Sequence, residues 1–159
     1  MLFSQSKVVQ AHLEDVYEFF SNVGIWEKAV PHCKQIEVIE SHIRDNVESE
    51  KIKMVVSSKA GDEEAFVTQR WKVKNRVITY NQLIPPAPIA LHAGEWKFEE
   101  VREGVEVTSF HLVFVENLLT DLASFKNYSY SELEKLARDS IIHNSEQIIE
   151  VCAQMLTWS

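Results

Sequence analysis

The feature that constrains the fold most is a change of hydrophobic period along the chain. From about residue 33 to residue 115, runs rich in Val, Ile, Thr and aromatic residues alternate with short breaks. Such runs are typical of strands, and short breaks favour hairpins. From about residue 131 to residue 157 there is no Gly or Pro, and apolar residues recur at helical spacing. The pattern predicts an antiparallel meander followed by one long helix.

The predicted elements can be placed along the chain. Strands are expected at residues 4–10, 35–41, 47–57, 64–73, 76–83, 94–102 and 104–115, and helices at 13–21 and 131–157. Asn22 and Gly24 are expected to stop the first helix, and Ser131 with Glu134 fits a capping box for the last one. A break is expected at residues 60–62, and a proline-rich loop at 84–88. The fold class is α+β, with a curved sheet gripping the last helix and a cavity between them.

The length and the net charge limit the classes of function that this chain can have. The chain has 159 residues, which suits a single domain over 1–159, and its formal net charge of −8 disfavours nucleic acid or a membrane as a partner. Cys33 and Cys152 lie far apart without a CxxC pair, so neither a disulfide framework nor a thiolate zinc site is expected. Neither a signal peptide nor a membrane span is predicted, and the expected location is the cytoplasm.

His111 is the histidine best suited to acid–base chemistry. Alternation puts it on one face of a strand with Ser109 and several valines. It is either a satisfied core histidine or a general acid or base, because its ordinary pKa lies near neutrality. His32, His92 and His143 are placed near loops or helix edges, and no HxH or HExxH spacing exists, so no metal site is expected. Without a glycine-rich phosphate loop, no cofactor is expected either.

A polar position interrupts the apolar face of the final helix. Steps of about 100° per residue from Ile141 place Asn144 and Ser145 inside the apolar arc, whereas Glu146 falls at its edge or outside. A polar side chain on a buried face must be hydrogen-bonded or must face a wet cavity. Asn144 is therefore either a core amide bonded to nearby backbone or a residue that lines a cavity.

Arg70 lies in a predicted strand whose two faces are both mixed. Alternation puts Phe66, Thr68 and Arg70 on one face, and Val67 and Trp71 on the other. The pattern leaves open whether the arginine points to solvent or inward. An inward, unpaired guanidinium in an apolar pocket would bind an anion or an enolate, because it stays charged and offers five donors.

Several large aromatic side chains have two interpretations. By composition they are core residues, but a pocket for a flat ligand is also mostly apolar with a few placed polar groups. The candidates for such a lining are Trp26, Phe66, Tyr80, Trp96 and Phe98.

Three segments carry a family resemblance. The first covers residues 8–17 and 24–31, with a Trp-Pro loop. The second, which is the most specific, covers residues 77–82, the prolines at 85–88 and Gly94-Glu95-Trp96. The third is the strand that contains His111, followed by the final helix with Asn144 and Ser145. Together they resemble the aromatase/cyclase family of bacterial type II polyketide synthases, within the START-like (helix-grip) superfamily.

The resemblance implies a fold and a set of site residues. The implied fold is a seven-stranded antiparallel sheet wrapped around a long C-terminal helix, with an interior pocket. The family's pocket Arg, its histidine and its helix Asn fall on Arg70, His111 and Asn144, which implies that these three act on the substrate. The usual Gly-Gly before Glu-Trp is Ala93-Gly94 here.

The resemblance also implies an activity and partners. The expected reaction is aldol cyclisation and dehydration of a poly-β-ketone that is tethered to an acyl carrier protein. Arg70 would stabilise the oxyanion, His111 would move protons, and Asn144, Tyr80 and Trp96 would position the chain. Other type II polyketide synthase components are further expected partners, and the chain would act as a monomer or homodimer.

Two points stay open at this level. The acidic carrier would need a local basic rim, for which Lys72, Lys74 and Arg76 of one hairpin are candidates. The alternative function is a non-catalytic START-like carrier or chaperone that binds a quinone, lipid or other flat apolar ligand. An interaction domain with a filled core is a third interpretation, and it predicts no cavity.

Overall fold

The computed structural model describes residues 1–57, 61–116 and 127–157, in which the chain forms seven strands and three helices. The strands are β1 (Leu2–Val9), β2 (Cys33–Arg44), β3 (Val47–Ser57), β4 (Glu63–Val73), β5 (Val77–Ile84), β6 (Ile89–Val101) and β7 (Gly104–Val115). The helices are α1 (Leu13–Ser21), α2 (Val23–Ala29) and α3 (Tyr130–Leu156). The predicted break at residues 60–62 begins on Ala60, which lies outside the described residues.

The strands form one antiparallel sheet in the order β1-β7-β6-β5-β4-β3-β2. Strands β2 to β7 follow one another as a meander, and β1 pairs with β7 at the far edge. Helix α3 lies against β7 and β1. The predicted α+β fold, with a seven-stranded antiparallel sheet and a long C-terminal helix, is confirmed in the described part of the chain.

Strand alternation decides which polar residues enter the molecule. In β4, Thr68, Arg70 and Lys72 are buried, while Trp71 between them is 41% exposed. In β7, Ser109 and His111 are buried on the inner face. The orientation that the sequence left open for Arg70 is therefore inward.

Helix α2 was not predicted. Gly24 was expected to stop the preceding helix, but it lies in the first turn of α2. Asn22 serves both helices: its backbone N–H donates to Glu18 at the end of α1, and its side-chain oxygen accepts from the Gly24 N–H at 3.1 Å. Because this side chain caps a new N-terminus, the chain turns and becomes helical again.

Two element boundaries also differ from expectation. The capping box of α3 consists of Ser129 and Glu132, two residues before the expected pair Ser131 and Glu134. Strand β6 starts at Ile89 rather than at residue 94. The reason is that the proline-rich turn is closed by a hydrogen bond from the Ile89 N–H to the Pro86 carbonyl, at 2.9 Å, so the strand begins directly after the turn. The earlier start brings residues 89–93 into the sheet, including a histidine that was assigned to a loop.

Candidate functional site

A cavity lies between the inner face of the sheet and α3. It encloses about 860 Å³ of space between protein atoms, part of it open to solvent. Its walls come from β3, β4, β5, β6, β7, α2 and α3. Of the lining residues, Glu64 and Ser140 are exposed and so mark its mouth. The interpretation as a domain with a filled core is therefore wrong.

His111 stands at the centre of a buried polar cluster in the cavity wall. Its Nδ1 lies 2.9 Å from the Tyr80 hydroxyl and 3.1 Å from His92 Nε2. Its Nε2 lies 2.5 Å from Ser109 Oγ and 3.3 Å from Ser145 Oγ. Both ring nitrogens therefore have hydroxyl partners, and the contacts lock the ring in place. We call these five residues the histidine cluster.

The contacts of the histidine cluster admit a consistent assignment of protons. A Tyr80 O–H that donates to His111 Nδ1 leaves the N–H on Nε2, from where it donates to Ser109 Oγ. His92 Nε2, 3.4 Å from the Tyr80 oxygen, can then donate to that oxygen. Burial raises the pKa of Tyr80, so its hydroxyl keeps its proton near neutrality.

Gly94 makes the contact between Tyr80 and His111 possible. Tyr80 on β5, Gly94 on β6 and His111 on β7 are paired in register across three neighbouring strands. The tyrosine side chain must therefore cross the middle strand. A Cβ at position 94 would lie 2.2 Å from the Phe110 backbone oxygen, and 2.6 Å and 2.8 Å from the hydroxyl oxygen and Cζ of Tyr80. Only a residue without a side chain leaves this space open.

Replacing Gly94 with alanine is expected to displace Tyr80 and to lower the free energy of unfolding by about 1–3 kcal/mol, the usual cost of overpacking. Urea unfolding measures this change. Gly24→Ala is the matched control, since its new Cβ meets only the Asn22 side chain, at 3.2 Å. Equal stability of the two variants would contradict the assigned role of Gly94.

Burial keeps both histidines of the histidine cluster neutral. It lowers the pKa of His111 to about 4. It lowers the pKa of His92 to about 3, with the neighbouring His111 as a second cause. At neutral pH each ring therefore has one unprotonated nitrogen, and His111 can accept a proton.

These lowered pKa values predict a loss of stability in acid. The unfolded chain, with histidine pKa values near 6.5, binds more protons than the folded chain between about pH 6.5 and pH 4, so the free energy of unfolding falls as the pH is lowered through this window. His92→Gln is expected to reduce that slope by about 1 kcal/mol per pH unit. Urea titrations at pH 6.5, 5.5 and 4.5 measure it. The same change at the exposed His42 should leave the slope as it is, and equal slopes in all three proteins would refute the prediction.

Arg70 lines the cavity but its guanidinium is paired. Nε lies 3.1 Å from Glu50 Oε1 as an ion pair, and Nη2 donates to the carbonyls of Phe20 at 2.9 Å and Ser21 at 3.1 Å. The Trp26 ring centre lies 5.7 Å from Cζ, within cation–π range. Arg70 therefore binds the end of α1 to the sheet, and it is not the unpaired anion binder that an inward position suggested.

The expected basic rim is not found at the cavity mouth. Lys72 is buried, with Nζ 3.3 Å from Glu50 and 3.2 Å from Glu48, so it cannot belong to a rim. Lys74 and Arg76 are exposed, but they follow the end of β4 opposite to Glu64. Nine residues of β4 lie between Glu64 and Lys74, which places the two positions roughly 33 Å apart along the strand.

Besides Ser140 at the mouth, helix α3 presents two polar side chains to the cavity. Ser145 is buried and belongs to the histidine cluster, and the half-buried Asn144 lies beside it in the lining. The Asn144 amide makes no hydrogen bond to another described residue, which favours the interpretation as a cavity-lining residue over that of a core amide. Glu146 is exposed, as the helical arithmetic predicted, and it supplies no carboxylate to His111.

The aromatic candidates divide between the cavity and the core. Trp26, Phe66, Tyr80 and Trp96 line the cavity, and the Trp26 N–H donates to the Phe19 carbonyl at 2.7 Å. Phe98 does not lie among the described lining residues. Its ring packs in the core, 5.3 Å from Phe20 and 5.7 Å from Tyr17. The expectation that Phe98 contacts a substrate in this cavity is therefore corrected.

The sequence analysis missed His92, Thr68 and Gln82 as lining residues. Alternation from Trp96 through Gly94 would have put His92 on the inner face, had the strand been started before residue 94. His32, which was placed near a loop, also lines the cavity and contacts Gln147. Within residues 1–57, 61–116 and 127–157, no group of three or more His, Cys, Asp or Glu could hold a metal ion.

Among the residues that the structure describes, no helix combines the length and the apolar character that crossing a membrane requires.

Comparison with known proteins identifies relatives of the sequence. Residues 9–127 match the model of a family described as polyketide cyclase / dehydrase and lipid transport. A curated relative is the actinorhodin polyketide synthase bifunctional cyclase/dehydratase of Streptomyces coelicolor, 24% identical over 147 residues. The alignment covers 88% of this chain but 45% of that protein, so the chain spans about half the length of this relative.

Solved structures agree on the fold. The di-domain ARO/CYC BexL from the BE-7585A biosynthetic pathway superposes with a TM-score of 0.87 at 21% identity, over 100% of this chain and 50% of BexL. The Zhui aromatase/cyclase from Streptomyces sp. R1128 superposes with a TM-score of 0.78 at 16% identity, over 98% and 92% of the two chains. At these identities the likeness establishes the START-like helix-grip fold.

Proposed function

This chain belongs to the polyketide cyclase / dehydrase and lipid transport family, and we propose that it catalyses aldol cyclisation and dehydration of a poly-β-ketone. The observation that carries the proposal is the histidine cluster. It places a neutral imidazole in a largely apolar cavity, with the hydroxyl of Tyr80 at one ring nitrogen and that of Ser145 at the other. The names of the relatives support the same class of reaction.

The proposed reaction needs a proton to leave one atom and another to arrive nearby. A methylene carbon between two carbonyls loses a proton and forms a bond to a ketone carbon, whose oxygen then gains a proton. An imidazole with a hydroxyl at each nitrogen can accept a proton on one side and release one on the other. Tyr80 and Ser145 both line the cavity, so either hydroxyl can transfer a proton between His111 and the substrate.

The low pKa of His111 in the empty cavity is compatible with this role. Desolvation is the cause of the shift, and it disfavours the imidazolium only while no negative charge lies beside it. An enolate that forms in the cavity stabilises the imidazolium and raises its pKa during the step itself. Loss of water from the resulting β-hydroxy ketone, by the same proton transfers, gives a cyclic enone, and enolisation of the remaining ring ketones makes the ring aromatic.

The cavity also determines which carbon atoms meet. Trp26, Phe66 and Trp96 provide flat apolar walls, and the Asn144 amide is available to bind a carbonyl oxygen. Holding one enol carbon against one ketone carbon is catalysis by proximity, which contributes more than a single proton transfer. Arg70 acts in this proposal by holding Trp26 in the wall and the end of α1 against the sheet, because Glu50 neutralises its charge.

A carrier-tethered substrate remains part of the proposal. We place the entry of the polyketide substrate at the cavity mouth, beside Glu64 and Ser140. The acyl carrier protein is the proposed partner that docks there. The acidic Glu64 at this mouth and the distant Lys74 and Arg76 mean that the docking would not rest on the predicted basic rim.

Product analysis in a reconstituted type II synthase tests the proposed function. We expect one cyclised aromatic product to dominate when this chain is present, and a mixture of spontaneously cyclised products when it is omitted. An unchanged product distribution would exclude catalysis. The apolar lining would then favour the alternative, a carrier of a flat apolar ligand, which should co-purify with the chain.

A further inference from the structure

Two polar atoms in the cavity wall have no partner in the protein. Thr68 Oγ1 and Gln82 Oε1 are both buried and make no hydrogen bond to any described residue. Thr68 is only 5% exposed, and both residues line the cavity. An unpaired buried polar atom is destabilising, so native proteins keep few of them without a functional reason.

The two atoms lie on neighbouring strands at the same level of the sheet. Thr68 of β4 and Gln82 of β5 are direct cross-strand partners, so their side chains leave the sheet on the same face. Tyr80 lies two residues before Gln82 on the same strand, and its hydroxyl contacts His111. Along β5, Gln82 is therefore the next residue after Tyr80 on this face of the sheet, and Tyr80 belongs to the histidine cluster.

The chemistry of the two atoms defines a complementary ligand. Gln82 Oε1 accepts a hydrogen bond and needs a donor, whereas the Thr68 hydroxyl can donate to an acceptor. The enol form of a 1,3-diketone has one O–H donor and one carbonyl acceptor on carbons two bonds apart, and the pair can bind both when the enol exchanges its internal hydrogen bond for these two. A single ketone has only the acceptor and satisfies half of the pair.

We infer that Thr68 and Gln82 form a binding subsite that recognises the enolised 1,3-diketone unit of the substrate. The subsite selects the reactive tautomer and holds it beside the histidine cluster. This inference deepens the proposed function and rests on it for the identity of the natural ligand. The recognition itself is a binding property, and it can be measured without turnover.

The experiment measures binding of two small probes to the whole chain. The first probe is 1-phenyl-1,3-butanedione, which is largely enolised, and the second is 1-phenyl-1-butanone, which has the same length but one carbonyl. Calorimetry gives the dissociation constants, and quenching of Trp26 and Trp96 reports on occupancy of the cavity. Thr68→Val and Gln82→Leu remove the polar atoms with little change of shape, and Thr68→Ser keeps the hydroxyl as a control.

We expect Gln82→Leu to weaken binding of the diketone about five- to tenfold, the effect of one lost hydrogen bond, and to change binding of the monoketone less than twofold. Thr68→Val should weaken binding of both probes, because the carbonyl oxygen of each accepts from the Thr68 hydroxyl. Thr68→Ser should bind both probes like the original chain. The melting temperature of the apolar variants should stay the same or rise, because an unpaired polar atom has been removed.

Three results would overturn the inference: no binding of the diketone by the original chain, equal losses for the two probes in Gln82→Leu, or a fall in melting temperature of more than about 5 °C in both apolar variants. The last result would assign the two residues to the structure. Failure of the inference is separable from failure of the proposed function. A chain that directs cyclisation while its variants still bind the diketone refutes only the subsite, and one that binds the diketone selectively without altering products refutes only the catalysis.

Discussion

His111→Gln is expected to lower the rate of ring closure by a factor of about 10²–10⁴, the usual contribution of a general acid–base residue. Glutamine can still hydrogen-bond to Tyr80 and Ser109, but it cannot accept a proton on one side and release one on the other. The same reconstituted synthase that tests the proposed function measures this rate. Spontaneous cyclisation should then dominate the products.

A matched control separates proton transfer from packing. His32→Gln also removes a buried, cavity-lining imidazole, but one that contacts Gln147 and none of the histidine cluster. Its effect on the rate should be less than about tenfold. If the two variants lose activity equally, or if His111→Gln forms product at the original rate, His111 is not the proton-transfer residue.

Arg70→Met is expected to lower the free energy of unfolding by about 3–5 kcal/mol, because one cation, Lys72, must then neutralise both Glu48 and the buried Glu50. Glu50, whose side chain is 6% exposed, would keep only Lys72 as a partner. The Phe20 carbonyl would also lose its donor, and the Ser21 carbonyl would keep only Lys72 Nζ, at 3.4 Å. Urea unfolding measures the loss. A loss of product in an Arg70 variant is therefore uninformative about chemistry until its stability is known.

A double variant tests the explanation. In Arg70→Met combined with Glu50→Met, no charge is left unpaired, because Lys72 keeps Glu48 at 3.2 Å. We expect this double variant to recover at least half of the lost stability, since apolar replacement of a whole buried pair is often neutral. If the double variant is less stable than Arg70→Met by the full effect of a second independent mutation, the ion pair is not the cause.

The candidate site could be predicted from the sequence only in part. The positions of Ser145, Asn144 and Glu146 followed from 100° steps along a helix, and the inner position of His111 followed from strand alternation. His92 was missed because the start of β6 was placed after it, and strand boundaries depend on how a loop closes, which periodicity does not encode. The partners of His111 come from β5, β6, β7 and α3, and such contacts between distant segments are set by register.

Arg70 is a second residue whose role the sequence pattern could not predict. Its residue type and its strand were evident, but a strand with two mixed faces has no preferred inner face in the sequence pattern. The structure decides it because Glu50 lies directly opposite on β3 and offers a buried counter-charge. That pairing also changes the chemistry, since a neutralised guanidinium cannot do what a free one does.

The sequence by itself determined the order and type of most elements, because apolar spacing of two or of about 3.6 residues is a local property of the chain. It also determined the polar positions on the face of α3. The tertiary structure alone decided which polar side chains meet: Tyr80 reaches His111 only because Gly94 leaves space on the strand between them. It likewise left Thr68 and Gln82 unpaired beside a cavity. Side-chain pairing depends on distances between strands that are far apart in sequence, and no local pattern carries that information.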